Sequence, residues 1–164
     1  MNVQLDAEIE IAADAATIFD TVNDADGAPR IYAKHGPVPG VTELRYDGDG
    51  KPRLDAVRKV CTADGNVLEE KLVVYDRPRA HSYTLRGFAM PFSLLVREAR
   101  ADWRFEPIPG ALATRVHWTY TFALTTPLVW PLAALFLHTV FHGWMLGCLG
   151  RARRESTLAA HAHA

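Results

Sequence analysis

The sequence predicts an α+β fold: a curved antiparallel sheet of about seven strands around one long C-terminal helix, with two short helices after the first strand. Three observations predict it. Val3 to Ile11 alternates, with Val3, Leu5, Ala7, Ile9 and Ile11 against Gln4, Asp6, Glu8 and Glu10. That is the period of a half-buried strand. From Val41 to Leu124 the chain repeats such segments between turn residues. Pro127 to Arg154 is then apolar over helical length, and no Asp, Glu, Lys or Arg occurs from Val116 to Gly150. A helix without a charged stripe is either enclosed by other elements or a membrane span.

The elements follow in order. Asp14 offers an N-cap oxygen to a short helix, Ala15 to Val22, that turns Ile18, Phe19 and Val22 inward. Asn23-Asp24 ends it. Ala28 to Lys34 is the second short helix, and Gly36 to Gly40, with two prolines, is a loop. Val41 to Tyr46 is a strand, and Asp47-Gly48-Asp49-Gly50 is a hairpin turn. Strands follow over Arg53 to Cys61, Val67 to Asp76 and Ala80 to Arg86, with turns at Ala63 to Asn66 and at Arg77-Pro78. Gly87 to Phe92 is a loop with large apolar side chains. Ser93 to Glu106 alternates, placing Leu95, Arg97, Ala99, Ala101, Trp103 and Phe105 on one face. Thr114 to Leu124 is the last strand, with Val116, Trp118, Tyr120 and Phe122 on one side. Hairpin spacing makes the sheet antiparallel, and the long helix is the large cover available to its apolar face. Residues 1–157 form one domain, and 158–164 are expected to be a disordered tail.

Composition narrows the function classes. Hydrophobic residues are 49% and charged residues 23%, a globular balance, and the net charge is -1. No basic patch accompanies the aromatics, so nucleic acid is not the expected partner. Cys61 and Cys148 match no metal or redox spacing and read as free thiols in a reducing compartment. Met1 to Glu8 lacks the basic flank and apolar core of a signal peptide, so the expected location is cytoplasmic. No nucleophile elbow or phosphate loop is present.

Several positions together carry a resemblance. Ile11-Ala12-Ala13 precedes the helix containing Ile18-Phe19, and Asn23-Asp24 follows it. Asp64-Gly65 stands ahead of Glu70, and Pro78 before Tyr83. Trp103-Arg104-Phe105 and Ala113 to Trp118 precede the final helix. On these the chain resembles the START-like, helix-grip superfamily, also called SRPBCC, in its polyketide cyclase/dehydrase and lipid-transport branch. The likeness runs from Val3 to about Arg154. Ala113-Thr114 stands where that family usually has Gly-Thr. The resemblance implies a cavity between sheet and helix. Its members carry lipids and other hydrophobic ligands, cyclise polyketides, or assist chaperones, so the fold does not choose among these activities.

Candidate cavity residues follow from strand and helix phase. Arg97 and Glu70 share faces with apolar residues, and each either faces the cavity and a ligand or reaches water at a sheet edge. Tyr83, Trp103, Trp118 and Tyr120 line or back the cavity, or are ordinary aromatic core. Phe88 and Met90, with Pro91 and Phe92, form part of its mouth. His138 and His142 share a helical face. They are read as core or cavity histidines, or as proton-transfer groups, rather than as metal ligands, because no third ligand is evident. Gly143, Gly147 and Gly150 give the helix clearance, either for cavity space or for packing; the first two also have the spacing of membrane helix pairs. The expected function is binding of a small hydrophobic, lipid-, polyketide- or aromatic-like ligand, with no cofactor. A cyclase/dehydratase using the same cavity is one alternative, and a tail-anchored membrane protein is another. No stable membrane span is expected.

Overall fold

In the computed structural model, which describes residues 1–162, the alternating segment Asn2–Ile11 forms β1 and buries Val3, Leu5, Ala7 and Ile11. The Asp14 carboxylate accepts from Thr17 N at 2.9 Å and starts α1, Ala15–Asn23. α2, Ala28–Ile31, stops short of the expected Lys34 because Tyr32 leaves helical geometry. Its carbonyl instead accepts from Val41 N at 2.8 Å. Six strands follow: β2 (Val41–Tyr46), β3 (Val57–Thr62), β4 (Val67–Asp76), β5 (Ala80–Arg86), β6 (Val96–Pro107) and β7 (Thr114–Leu124). All seven strands lie in one antiparallel sheet in the order β1-β7-β6-β5-β4-β3-β2. α1 and α2 carry the chain from one edge strand to the other.

Two strand starts also differ from expectation for local reasons: β3 begins at Val57 rather than Arg53, and β6 at Val96 rather than Ser93. The turn after β2 is not confined to Asp47–Gly50. Arg53 reaches back to Asp49 at 2.6 Å, and Asp55 takes φ 64, so the loop closes only where Val57 O accepts from Asp47 N at 2.9 Å. β6 begins at Val96, after a 3₁₀ turn at Phe92–Leu94. A register shift between Val96 and Glu98 then changes which side chains face in. Val96 and Ala99 are buried, and Arg97 is the extra residue, turned to solvent.

α3 spans Pro127–Ala162 as one continuous helix. It passes the Thr157 boundary expected for the folded domain; residues 163–164 lie outside the described residues. A π-helical stretch, Leu137–Phe141, interrupts it. In that geometry residues five apart come close to one face, and Phe136 and Phe141 both meet the cavity described below. The inner face of α3 buries Ala133, Leu137, Trp144, Met145, Cys148, Leu149 and Ala152.

The sheet does not enclose the helix all round. Leu128, Leu132 and Leu135 are 90%, 61% and 63% exposed. The absence of a charged stripe therefore does not reflect full burial. The glycine clearance does not serve the sheet either. A Cβ at Gly143 would meet His35 Nε2 at 3.0 Å, one at Gly147 the Arg151 guanidinium, and one at Gly150 open space.

Candidate functional site

Registered cross-strand neighbours build the concave face row by row. One row reads His81, Trp103, Trp118, Ala7 across β5, β6, β7 and β1. The next reads Leu72, Tyr83, Ala101, Tyr120, Leu5. The third reads Arg58, Glu70, Leu85, Ala99, Phe122, Val3. In the first row the Trp103 and Trp118 rings stack at 4.3 Å, His81 stacks on Trp103 at 5.6 Å, and Phe19 of α1 closes over His81 at 5.3 Å. That end is solid. In the third row Ala99 leaves room, and a cavity of about 210 Å³ opens between sheet and helix.

Leu44, Val60, Leu68, Leu85, Ala99 and Phe122 supply its apolar wall from the sheet, and Phe136, Phe141 and Trp144 from α3. Tyr32, the Pro37–Pro39 loop and the Phe88–Phe92 loop complete it. Gly40 allows the first loop to fold tightly, because a Cβ there would sit 2.7 Å from Lys34 N. Met90, 68% exposed, marks the mouth.

Three charged side chains line this space: Asp64, at the β3–β4 turn beside Thr62 and Asn66, and the pair Arg58 and Glu70. Arg58 and Glu70 are each 4% exposed and form an ion pair through Arg58 Nε and a Glu70 carboxylate oxygen. Arg58 Nη1 donates to Tyr46 Oη at 2.8 Å. The guanidinium carbon lies 5.4 Å from the Tyr46 ring and 5.6 Å from the Tyr83 ring, a cation–π arrangement. Burial pushes the Glu70 carboxyl up, and the Arg58 charge and hydrogen bond pull against it. Burial also pulls Arg58 down, but Glu70, Tyr46 and Tyr83 outweigh this and hold the guanidinium charged. Tyr83 and Tyr120 hydroxyls meet at 3.3 Å, and burial pushes both phenols up. The cavity thus offers phenolic hydroxyls, a mutually neutralised ion pair and, at the β3–β4 turn, the Asp64 carboxylate.

Among the expected site residues, Glu70, Tyr83, Phe88, Met90 and Tyr120 line the cavity. Five others do not. Arg97 is turned outward by the β6 bulge. Trp103 and Trp118 are fully buried in the solid end, behind Tyr83 and Tyr120. His138 lies exposed on α3, and His142 Nε2 bonds Asp6 O at 3.0 Å on the outer edge of β1. Both histidines lie away from the cavity wall because the π stretch and the sheet select Phe136, Phe141 and Trp144 instead. Among the described residues no cluster of three His, Cys, Asp or Glu side chains could hold a metal. Cys148 is a free thiol whose pKa burial raises to about 12.

Sequence reasoning missed Arg58 and Tyr46. A usable signal existed. A hairpin closed over Thr62 to Asn66 pairs Cys61 with Val67, and counting back pairs Arg58 with Glu70. It also missed His81, which is wholly buried. Asn23 Nδ2 lies 3.2 Å from its Nδ1 and also donates to Phe19 O. Burial, helped by the Arg58 charge, holds the imidazole well below its ordinary pKa.

A family of proteins described as polyketide cyclase/dehydrase and lipid transport matches residues 2–156. The chain belongs to that family. No curated protein matches it. Among solved structures it is similar to the Zhui aromatase/cyclase of a Streptomyces species, with TM-score 0.73 and 14% identity over 96% of this chain and 94% of that one. It is similar to a point mutant of norcoclaurine synthase from Thalictrum flavum, with TM-score 0.68 and 16% identity over 100% and 98%. It is also similar to Ara h 8.0201, with TM-score 0.62 and 15% identity over 93% and 98%. At these identities the likeness is one of fold, the START-like helix-grip architecture.

Proposed function

We propose that this member of the polyketide cyclase/dehydrase and lipid-transport family holds a small, uncharged, mostly apolar molecule in the sheet–helix cavity. The observation that carries the reading is the neutralised Arg58–Glu70 pair in a mostly apolar wall, whose one other charged group, the Asp64 carboxylate at the β3–β4 turn, accepts from the Thr62 hydroxyl and would repel an anionic ligand. An apolar cavity of about 150 Å³ takes up benzene, so about 210 Å³ suits a ligand of roughly two fused rings. Its apolar body would gain about 25 cal/mol for each Å² removed from water, less ordering costs. A ligand carboxylate would have to displace Glu70 from Arg58. A ligand hydroxyl or carbonyl needs only hydrogen bonds from Arg58, Tyr83 or Tyr120.

Titration with the uncharged fluorophore N-phenylnaphthylamine tests this, followed by displacement with naphthol and with naphthoate. Fluorescence should rise on binding, and naphthol should displace the probe more tightly than naphthoate. No probe binding, together with no apolar mass accompanying the purified protein in native mass spectrometry, overturns the reading.

One observation favours a second reading, the cyclase/dehydratase enzyme. A carboxyl raised by burial, beside a cation and two phenols, is an arrangement that can move a proton. Glu70→Gln separates the two: a carrier keeps binding the neutral probe, and an enzyme loses turnover while binding persists.

A further inference from the structure

The outer face of α3 has an apolar stripe that no part of the described chain covers. Leu128, Leu132 and Leu135 recur at helical spacing along it, Trp130 is half exposed beside them, and Leu146 follows about two turns beyond the exposed His138 and Thr139. Two neighbouring side chains extend the stripe. Thr125, at the root of α3, bonds the backbone of both Leu94 and Leu95, at 2.6 Å and 3.0 Å. This fixes the exposed Leu94 beside the helix start. The Phe92 ring lies 5.8 Å from that of Phe136 and ties in the loop bearing Met90. The stripe therefore runs up to the mouth of the cavity.

The charges around it are of one kind at both ends. No Asp or Glu occurs from Pro107 to Arg154. Arg153 and Arg154 are exposed on the helix beyond Leu146, and Arg97 is exposed beside Leu94 at the other end. None of the three makes an ion pair among the described residues. The nearby acids are engaged: Glu98 with Arg86, Glu155 with Arg30, and Asp6 with Thr119 and Gln4.

We propose that this face of α3, with Met90 and Leu94, rests on the surface of an anionic lipid leaflet, with the helix lying in the plane of the membrane. An apolar stripe with a tryptophan at its margin and cations at its ends matches the headgroup–acyl boundary. A span is the wrong geometry, because the opposite face of the same helix is core. A second copy of the chain fits less well. Antiparallel pairing about the stripe sets Arg97 of one copy against Arg153 and Arg154 of the other, and parallel pairing sets like against like. The arrangement points the cavity mouth at the acyl region, where an apolar ligand is dissolved.

Flotation of the full chain with vesicles tests this, using phosphatidylcholine alone and phosphatidylcholine mixed with phosphatidylglycerol. The protein should float with the mixed vesicles, more weakly with the neutral ones, and should come off in alkaline carbonate. Leu132→Glu with Leu135→Glu should reduce flotation at least tenfold while N-phenylnaphthylamine binding stays intact, which separates lost docking from lost folding and from failure of the cavity reading. Arg153→Gln with Arg154→Gln should weaken binding to the anionic vesicles alone, by about fivefold per arginine. Wild-type protein that stays unfloated with both vesicles overturns the proposal. So does a dimer in solution that the leucine variants split, which assigns the stripe to a second copy. Resistance to carbonate overturns the in-plane geometry.

Discussion

One concave sheet face is solid at the β1–α1 end and hollow at the β2–β4 end, although the same strands cross both. β7 does not make the difference, since it presents Val116, Trp118, Tyr120 and Phe122 along its whole length. β6 does. It sends Phe105 and Trp103 inward at the solid end and only Ala101 and Ala99 at the hollow one. α1 reinforces the contrast by placing Phe19 over His81 and Phe105. The hollow end instead receives an ion pair and phenols. Stability and binding are thus divided along single strands.

The packed end is where loss of volume should cost most. Trp103→Ala removes a ring stacked on Trp118, His81 and Phe105, and should cost about 3–5 kcal/mol in urea unfolding. The offset comes from Trp103 Nε1, which is buried without a hydrogen-bond partner among the described residues. Removing that orphan recovers part of the loss.

At the hollow end the same logic inverts. Ala99→Phe fills space instead of creating it. It should weaken N-phenylnaphthylamine binding about a hundredfold, ~2.7 kcal/mol, with unfolding free energy changed by less than in the tryptophan variant. Equal destabilisation by the two variants would erase the distinction between the ends.

His81 separates the ends by pH. Its folded pKa lies below the unfolded value, so the unfolded chain binds the extra proton in acid. The stability that neutral burial provides is complete above the unfolded pKa, near 6.5. It is lost as pH falls from there toward the depressed folded value, at up to about 1.4 kcal/mol per pH unit. Urea unfolding at pH 7 and pH 5 should show this slope in wild type and a shallower one in His81→Phe.

The smallest effect belongs to the ion pair. Glu70→Gln leaves Arg58 charged without its counter-ion. The preference for naphthol over naphthoate should then fall about tenfold, ~1.4 kcal/mol, in competition titrations. An unchanged preference would mean that the pair does not contact the ligand.

Legibility varied with the range of the cause. The alternation of β1 and β7 and the turn after Ala63 follow from side-chain period and turn chemistry. Those boundaries agree with the structure at Val67, Ala80 and Thr114. Glu70, Tyr83 and Tyr120 were readable as inward because their strands keep phase there. Arg97 was not, since one inserted residue at the β6 bulge reverses every face before it, and period counting assumes an unbroken ladder. Arg58 required pairing two strands across a turn rather than reading either alone.

The sequence by itself determined the order of elements, the family, and an uncharged C-terminal helix facing an alternating sheet. These depend on properties that neighbours in the chain carry locally. Only the tertiary structure decided that Ala99 opens a cavity, that Arg58 and Glu70 neutralise each other inside it, and that the outer leucines of α3 meet no partner. Each of these depends on which residues from distant strands come opposite one another. A single alanine or a single bulge changes that outcome while leaving the local pattern intact.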